Sequence, residues 1–135
     1  MILKNFMNKI LVEVSVGELF DKITILEIKK DKIKDKEKLK YIVDEYNLLK
    51  EKMLSDVKLN EKLKGLFDTL KDINSKLWVI EDDKRLCEKN SDFGEKFIKL
   101  SRDIHFLNDK RASIKLDINN QTGSKIKEIK EYTNY

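Results

Sequence analysis

Proline is absent from the 135 residues, and glycine occurs only four times. A chain so poor in turn residues has few ways to punctuate itself, which excludes folds of many short strands and favours long helices. The single cysteine, Cys87, excludes an intramolecular disulfide and a cysteine-based zinc cluster. The single histidine, His105, excludes an imidazole metal set. Glycine-rich phosphate loops and zinc spacings are also missing, so neither a metal nor a cofactor is expected. No stretch approaches the ~18 apolar residues of a membrane span, so no membrane association is expected.

Charge is what the chain has in quantity. Charged residues make up 40% of it, 29 basic against 25 acidic, for a net charge of +4. Nucleic-acid binders concentrate basic residues on one face, whereas here the signs alternate along every segment, so nucleic acid is not an expected partner. Between Met1 and Val16 basic residues precede an apolar stretch, but Glu13 interrupts it and no small-residue cleavage site follows. A secretory signal is therefore not expected, and the reading is of a cytoplasmic protein with one domain, 1–135.

Hydrophobic residues, also 40%, are periodic. Ser15-Val16-Gly17-Glu18 is a capping box, with the Ser15 hydroxyl placed to accept from the Glu18 amide and the Glu18 carboxylate placed to reach back. Helix follows to about Ile33. A second helix, about 37–54, carries Leu39, Ile42, Val43, Tyr46, Leu49 and Met53 on one stripe. A third, about 59–88, carries Leu63, Leu66, Phe67, Leu70, Ile73 and Leu77, with Gly65 as a place where it could bend. Ser91 or Asp92 starts a fourth, ending near Asn119, and Gly123-Ser124 closes it and caps a short last helix within 124–135. Ahead of them, 1–14 forms an extended arm in which Lys9–Val14 has strand composition. The fold class expected is all-α, an antiparallel bundle of four main helices.

Placed on wheels at about 100° per residue, three helices depart from the amphipathic pattern in the same way. Glu27 falls inside the apolar arc of the first. The stripe of the third continues into Asn74, Glu81 and Arg85, with Trp78 beside them. That of the fourth continues into Asn108, Arg111 and Lys115. Charges in such positions must pair with one another or line a wet cavity, because burying one alone costs several kcal/mol. Glu81 and Arg85, four apart, can pair along their helix. Two acids, Glu27 and Glu81, then face three bases, Arg85, Arg111 and Lys115. The surplus suits an anion, since the guanidinium fork fits phosphate or carboxylate.

Carboxylates at Glu18/Asp21 and Glu81-Asp82-Asp83 have the spacing that holds Mg²⁺ in the all-α nucleotide pyrophosphohydrolases, but the paired E-E-x-x-E of those enzymes is absent. The run Val14-Ser15-Val16-Gly17-Glu18, then Asp21-Lys22-Ile23-Thr24-Ile25-Leu26-Glu27-Ile28-Lys29, resembles the opening signature of an uncharacterised family of small bacterial and phage proteins. Leu77-Trp78, Ile80-Glu81-Asp82 and Arg85 are similar to its middle block. Asn108-Asp109, Arg111-Ala112, Ile114-Lys115, Ile118-Asn119 and Gly123-Ser124 are similar to its last third. The resemblance brings no activity with it, and its blocks coincide with the misplaced polar residues. In the tail, Lys127-Glu128-Ile129-Lys130-Glu131 departs from the family's more acidic run, and no site is expected there.

The reading is a homo-oligomeric helical protein that binds a small anionic metabolite at a polar layer. Arg85, Arg111 and Lys115 would contact the anion, and Glu27 and Glu81 would orient them. Asn74 and Asn108 would hydrogen-bond, with Trp78 alongside. Any reaction there would work by electrostatic stabilisation, by analogy of fold with the helical chorismate mutases. Two alternatives stand beside it. One is a closed structural network, with Arg85 and Lys115 snorkelling to solvent. The other is a homo-oligomeric adaptor that dimerises through Lys9–Val14 and has no small ligand.

Overall fold

The computed structural model describes residues 8–135, and its architecture is all-α. The helices are α1 (Val16–Lys32), α2 (Lys36–Asp56), α3 (Glu61–Lys89) and α4 (Glu95–Thr122). Three begin at side-chain caps: Ser15 Oγ accepts from the Glu18 amide, Asp35 from Glu37 and Lys38, and Asn60 from Leu63. These caps satisfy amides that have no partner within a helix, and they set the boundaries the sequence suggests. The short links leave consecutive helices antiparallel.

α1 is the central helix and packs against each of the other three. One flank carries Phe20, Ile23 and Leu26 into a core with Tyr46 and Met53 of α2, Leu63 and Leu70 of α3 and Ile118 of α4. Phe20 meets Phe67 edge to face, with ring centroids 5.6 Å apart. Beyond that core α3 and α4 continue as a two-helix arm. There the α4 residues from Glu95 to Arg111 include none that is fully buried, and Val79, Leu86, Phe93 and Ile98 are exposed.

Three expectations need correction. α4 begins at Glu95 rather than at Ser91 or Asp92, because Ser91 takes a left-handed conformation (φ 53°) in the hairpin turn and Asp92 accepts from the Gly94 amide. Gly123, left-handed at φ 64°, ends α4 as expected, but no helix follows in 124–135. The tail instead runs back along α4 without regular structure. Lys127 donates to Asn120, Glu128 accepts from Lys115, and the Tyr135 hydroxyl donates to Asp109 while its ring packs at a tilt against His105. A short isolated helix is marginal, and here side-chain tethers along α4 hold the tail in its place. Last, Lys9–Val14, of strand composition, forms no strand among the described residues; Met1–Met7 of the expected arm lie outside them.

Candidate functional site

The polar interior is organised by Asp21, which is 1% exposed. It lies on the second buried flank of α1, where Gly17, Asp21, Thr24 and Ile28 recur at helical spacing and face α3 and α4. Arg111 of α4 grips it side-on, Nε donating to Oδ1 at 3.0 Å and Nη2 to Oδ2 at 2.5 Å. Asn74 of α3 donates through Nδ2 to Asp21 Oδ1 and to Thr24 Oγ1, both at 2.9 Å. Thr24 Oγ1 in turn donates to the Asp21 carbonyl oxygen. Burial by itself would raise the Asp21 carboxyl. The hydrogen bonds from Arg111 and Asn74, with the charges of Arg111 and Lys115, outweigh it and hold the group below the usual carboxylate value.

Lys115 extends the network towards the start of α1. Its Nζ lies 2.8 Å from Glu18 Oε2, 2.8 Å from Glu128 Oε2 and 3.8 Å from Asp21 Oδ2. Desolvation would lower its ammonium, but Glu128 and Glu18, then the charge of Asp21, raise it on balance. Next to it the Gly17 amide donates to Asn119 Oδ1 at 2.7 Å. A Cβ on Gly17 would lie 2.6 Å from the Lys115 carbonyl oxygen, so only glycine allows α1 to approach α4 this closely.

The charge balance expected from sequence is therefore overturned in this layer. Arg111 and Lys115 face Asp21, Glu18 and Glu128, two bases against three acids, so they offer no surplus positive charge. Lys115 is buried and does not snorkel. The Glu18 amide serves the helix cap as expected, but its carboxylate serves Lys115. Glu128 joins the layer from a tail in which no site was expected. Glu27 lies elsewhere: it accepts from the Tyr46 hydroxyl at 3.0 Å and pairs with Lys71 at 3.0 Å, between α1, α2 and α3. Glu81 and Arg85 form no ion pair with each other among the described residues.

Six of the expected residues do meet. Asn74, Trp78, Glu81, Arg85, Asn108 and Arg111 line one open cleft of about 360 Å³ between α1, α3 and α4. Its apolar side is Ile25 and Ile28 of α1 with Leu77 and Trp78 of α3, and Asp82 joins Glu81 on the acidic side. The α3 residues form one face at helical spacing, and the cleft opens where the α3–α4 arm leaves the core. Arg111 belongs to both structures. Its Nε and Nη2 are held by Asp21, while Nη1 has no hydrogen-bond partner among the described residues. Glu18 and Asp21, considered for a site from sequence only as a carboxylate pair, and Thr24 and Glu128, not considered for one, were missed as members of this layer. For Asp21 and Thr24 the available signal was the second stripe on α1, which an apolar-arc reading passes over because it is small and polar.

Among the described residues no cluster of His, Cys, Asp or Glu could hold a metal ion, and no helix is long and apolar enough to cross a membrane. Fold and site together define an all-α protein whose central helix is held by a buried ion network beside an open cleft. Within that class, the chain belongs to the family described as "Family of unknown function (DUF6165)", which it matches over residues 10–135. No curated protein and no solved structure matches it.

Proposed function

We propose that the chain binds a small ligand in the α1–α3–α4 cleft, with an anionic group of that ligand seated between Arg85 and the free edge of Arg111. The observation that carries this reading is the state of Arg111. A buried carboxylate fixes the guanidinium plane, and the fixed plane lines a cleft within the size range of small-molecule sites. A guanidinium held in advance loses little freedom when it binds phosphate or carboxylate. Arg85, exposed and without an ion-pair partner among the described residues, supplies the uncompensated charge that Arg111 and Lys115 do not. Glu81 and Asp82 disfavour a purely anionic occupant and favour one that also carries hydrogen-bond donors. Ile25, Ile28 and Trp78 offer an apolar surface, and Asn108 a neutral donor and acceptor.

A thermal-shift screen against phosphorylated metabolites, nucleotides, sugar nucleotides and dicarboxylates tests this. At 100 times its dissociation constant a ligand should stabilise the fold by about 2.7 kcal/mol, several degrees for a domain of this size. Trp78, the only tryptophan, gives an independent fluorescence signal from inside the cleft. Arg85→Ala should abolish both signals and leave the melting point of the free protein unchanged. A flat screen at low salt, or a shift that survives Arg85→Ala, overturns the proposal.

A further inference from the structure

Ahead of α1, residues 8–14 form neither helix nor strand and are exposed, and no hydrogen bond or ion pair engages them among the described residues. Ile10 and Leu11 are each 86% exposed and Val12 74%. Such a stretch presents unpaired backbone donors and acceptors together with adjacent apolar side chains, the combination that recruits another strand. Next to it lies a groove of about 980 Å³ lined by residues 11–14 together with Leu19 of α1, Leu48 and Leu49 of α2 and Ile126 of the tail.

We infer that the partner strand is the same segment of a second copy, paired antiparallel about a two-fold axis at Leu11. The sequence is self-complementary in that register. Lys9 falls opposite Glu13 at both ends, giving two symmetric ion pairs on one face with Leu11 against Leu11 between them. On the other face Ile10 falls opposite Val12 twice, and Val14 opposite Asn8. A one-residue shift that centres the axis on Val12 loses both ion pairs and sets Glu13 against Leu11. An isologous pairing of this kind uses the same edge of both copies and so closes at a dimer. Two short strands alone are marginal, and the groove supplies the missing support. Residues 11–14 already form its near wall, and the partner strand would extend that wall over Leu48, Leu49 and Ile126. This inference does not depend on the cleft.

Light scattering and sedimentation of the full chain, with cross-linking of cysteine variants in a Cys87→Ser background, test it. A dimer is expected, and Val12→Pro should make it monomeric without loss of helical signal, because the arm lies outside the core. Lys9→Glu or Glu13→Lys alone should weaken the dimer roughly five- to tenfold, and the two together should restore it. Cysteine at 11 faces its own copy within disulfide reach, whereas cysteine at 12 lies about 7–8 Å from its copy. Leu11→Cys should therefore cross-link about ten times faster than Val12→Cys. A chain that stays monomeric, a dimer that survives Val12→Pro, failure of the double charge exchange to restore, or faster cross-linking at 12 would each overturn the proposal.

Discussion

Arg111 and Asp21 meet side-on, two nitrogens on two oxygens, across 90 residues of sequence. Asp21 is almost wholly buried, whereas the Arg111 side chain keeps 31% of its surface. The pair thus joins the central helix to α4 on its inner side and borders the cleft on its outer side. Stability and the proposed binding share one residue, and the variants below address the stability side.

Removing the arginine strands the acid. Arg111→Ala leaves Asp21 buried with only Asn74 and the more distant Lys115 for compensation, and should destabilise the fold by about 3 kcal/mol. Arg111→Lys, which cannot make the two-pronged contact, should recover part of that loss. Urea unfolding midpoints measure both. A loss under about 0.5 kcal/mol for Arg111→Ala, the range of ordinary surface changes, would show the network to be dispensable.

Acid should unfold the protein partly through the same carboxylate. The folded state holds the carboxyls of Asp21 and Glu128 below their ordinary values. Their contribution is therefore complete above the unfolded values of about 4 and is lost as pH falls through the folded ones. Lys115 runs the other way. Its raised ammonium contributes fully below the unfolded value of about 10.4, and the contribution is lost as pH rises through the folded one. Stability against pH should show both limbs. Asp21→Asn should flatten the acid limb and lower the plateau, and an unchanged acid limb in that variant would contradict the assignment.

Gly17→Ala tests the close approach of two helices. In a helix the change ordinarily gains about 0.5–1 kcal/mol. Here the new methyl would meet the Lys115 carbonyl oxygen at 2.6 Å and the Asn119 side chain at 3.0 Å. The expected result reverses the sign, a loss of about 1–3 kcal/mol as α1 is pushed from α4. A melting point equal to or above wild type would mean that the gap opens freely.

Glu128→Gln should be mild. Glu128 keeps 41% of its side chain in water, and Lys115 retains Glu18 and Asp21. A cost below about 1 kcal/mol is expected. Exchange of amides in the tail should quicken while those of α4 stay protected, as a tether at the surface would require. Equal loosening of α4 would instead make the tail part of the core.

The helices were readable because their evidence is local. Ser15, Asp35 and Asn60 cap the amides three residues on or fewer, and Gly123 can take the conformation that ends α4. The apolar spacing of Phe20, Ile23 and Leu26 or of Leu63 and Leu70 shows which face turns inward. That Asn74, Arg111 and Lys115 occupy inward positions was equally visible, since a position on a wheel needs no knowledge of neighbours.

Their partners were not visible. A wheel assigns a helix one buried arc, but α1 has neighbours on two sides, and its second face, Gly17, Asp21 and Thr24, reads as polar surface until α3 and α4 are placed against it. The count of two acids against three bases failed for that reason, with Asp21 arriving from the unread face and Glu128 from a tail whose path depends on tethers along α4. Periodicity and capping chemistry by themselves determined the elements and the inward positions of the polar residues, because both act within a few residues of chain. Which charge meets which, and therefore whether Arg111 and Lys115 are free or paired, was decided only by tertiary packing, because a buried charge takes whatever counter-charge the fold brings within reach, however distant in sequence.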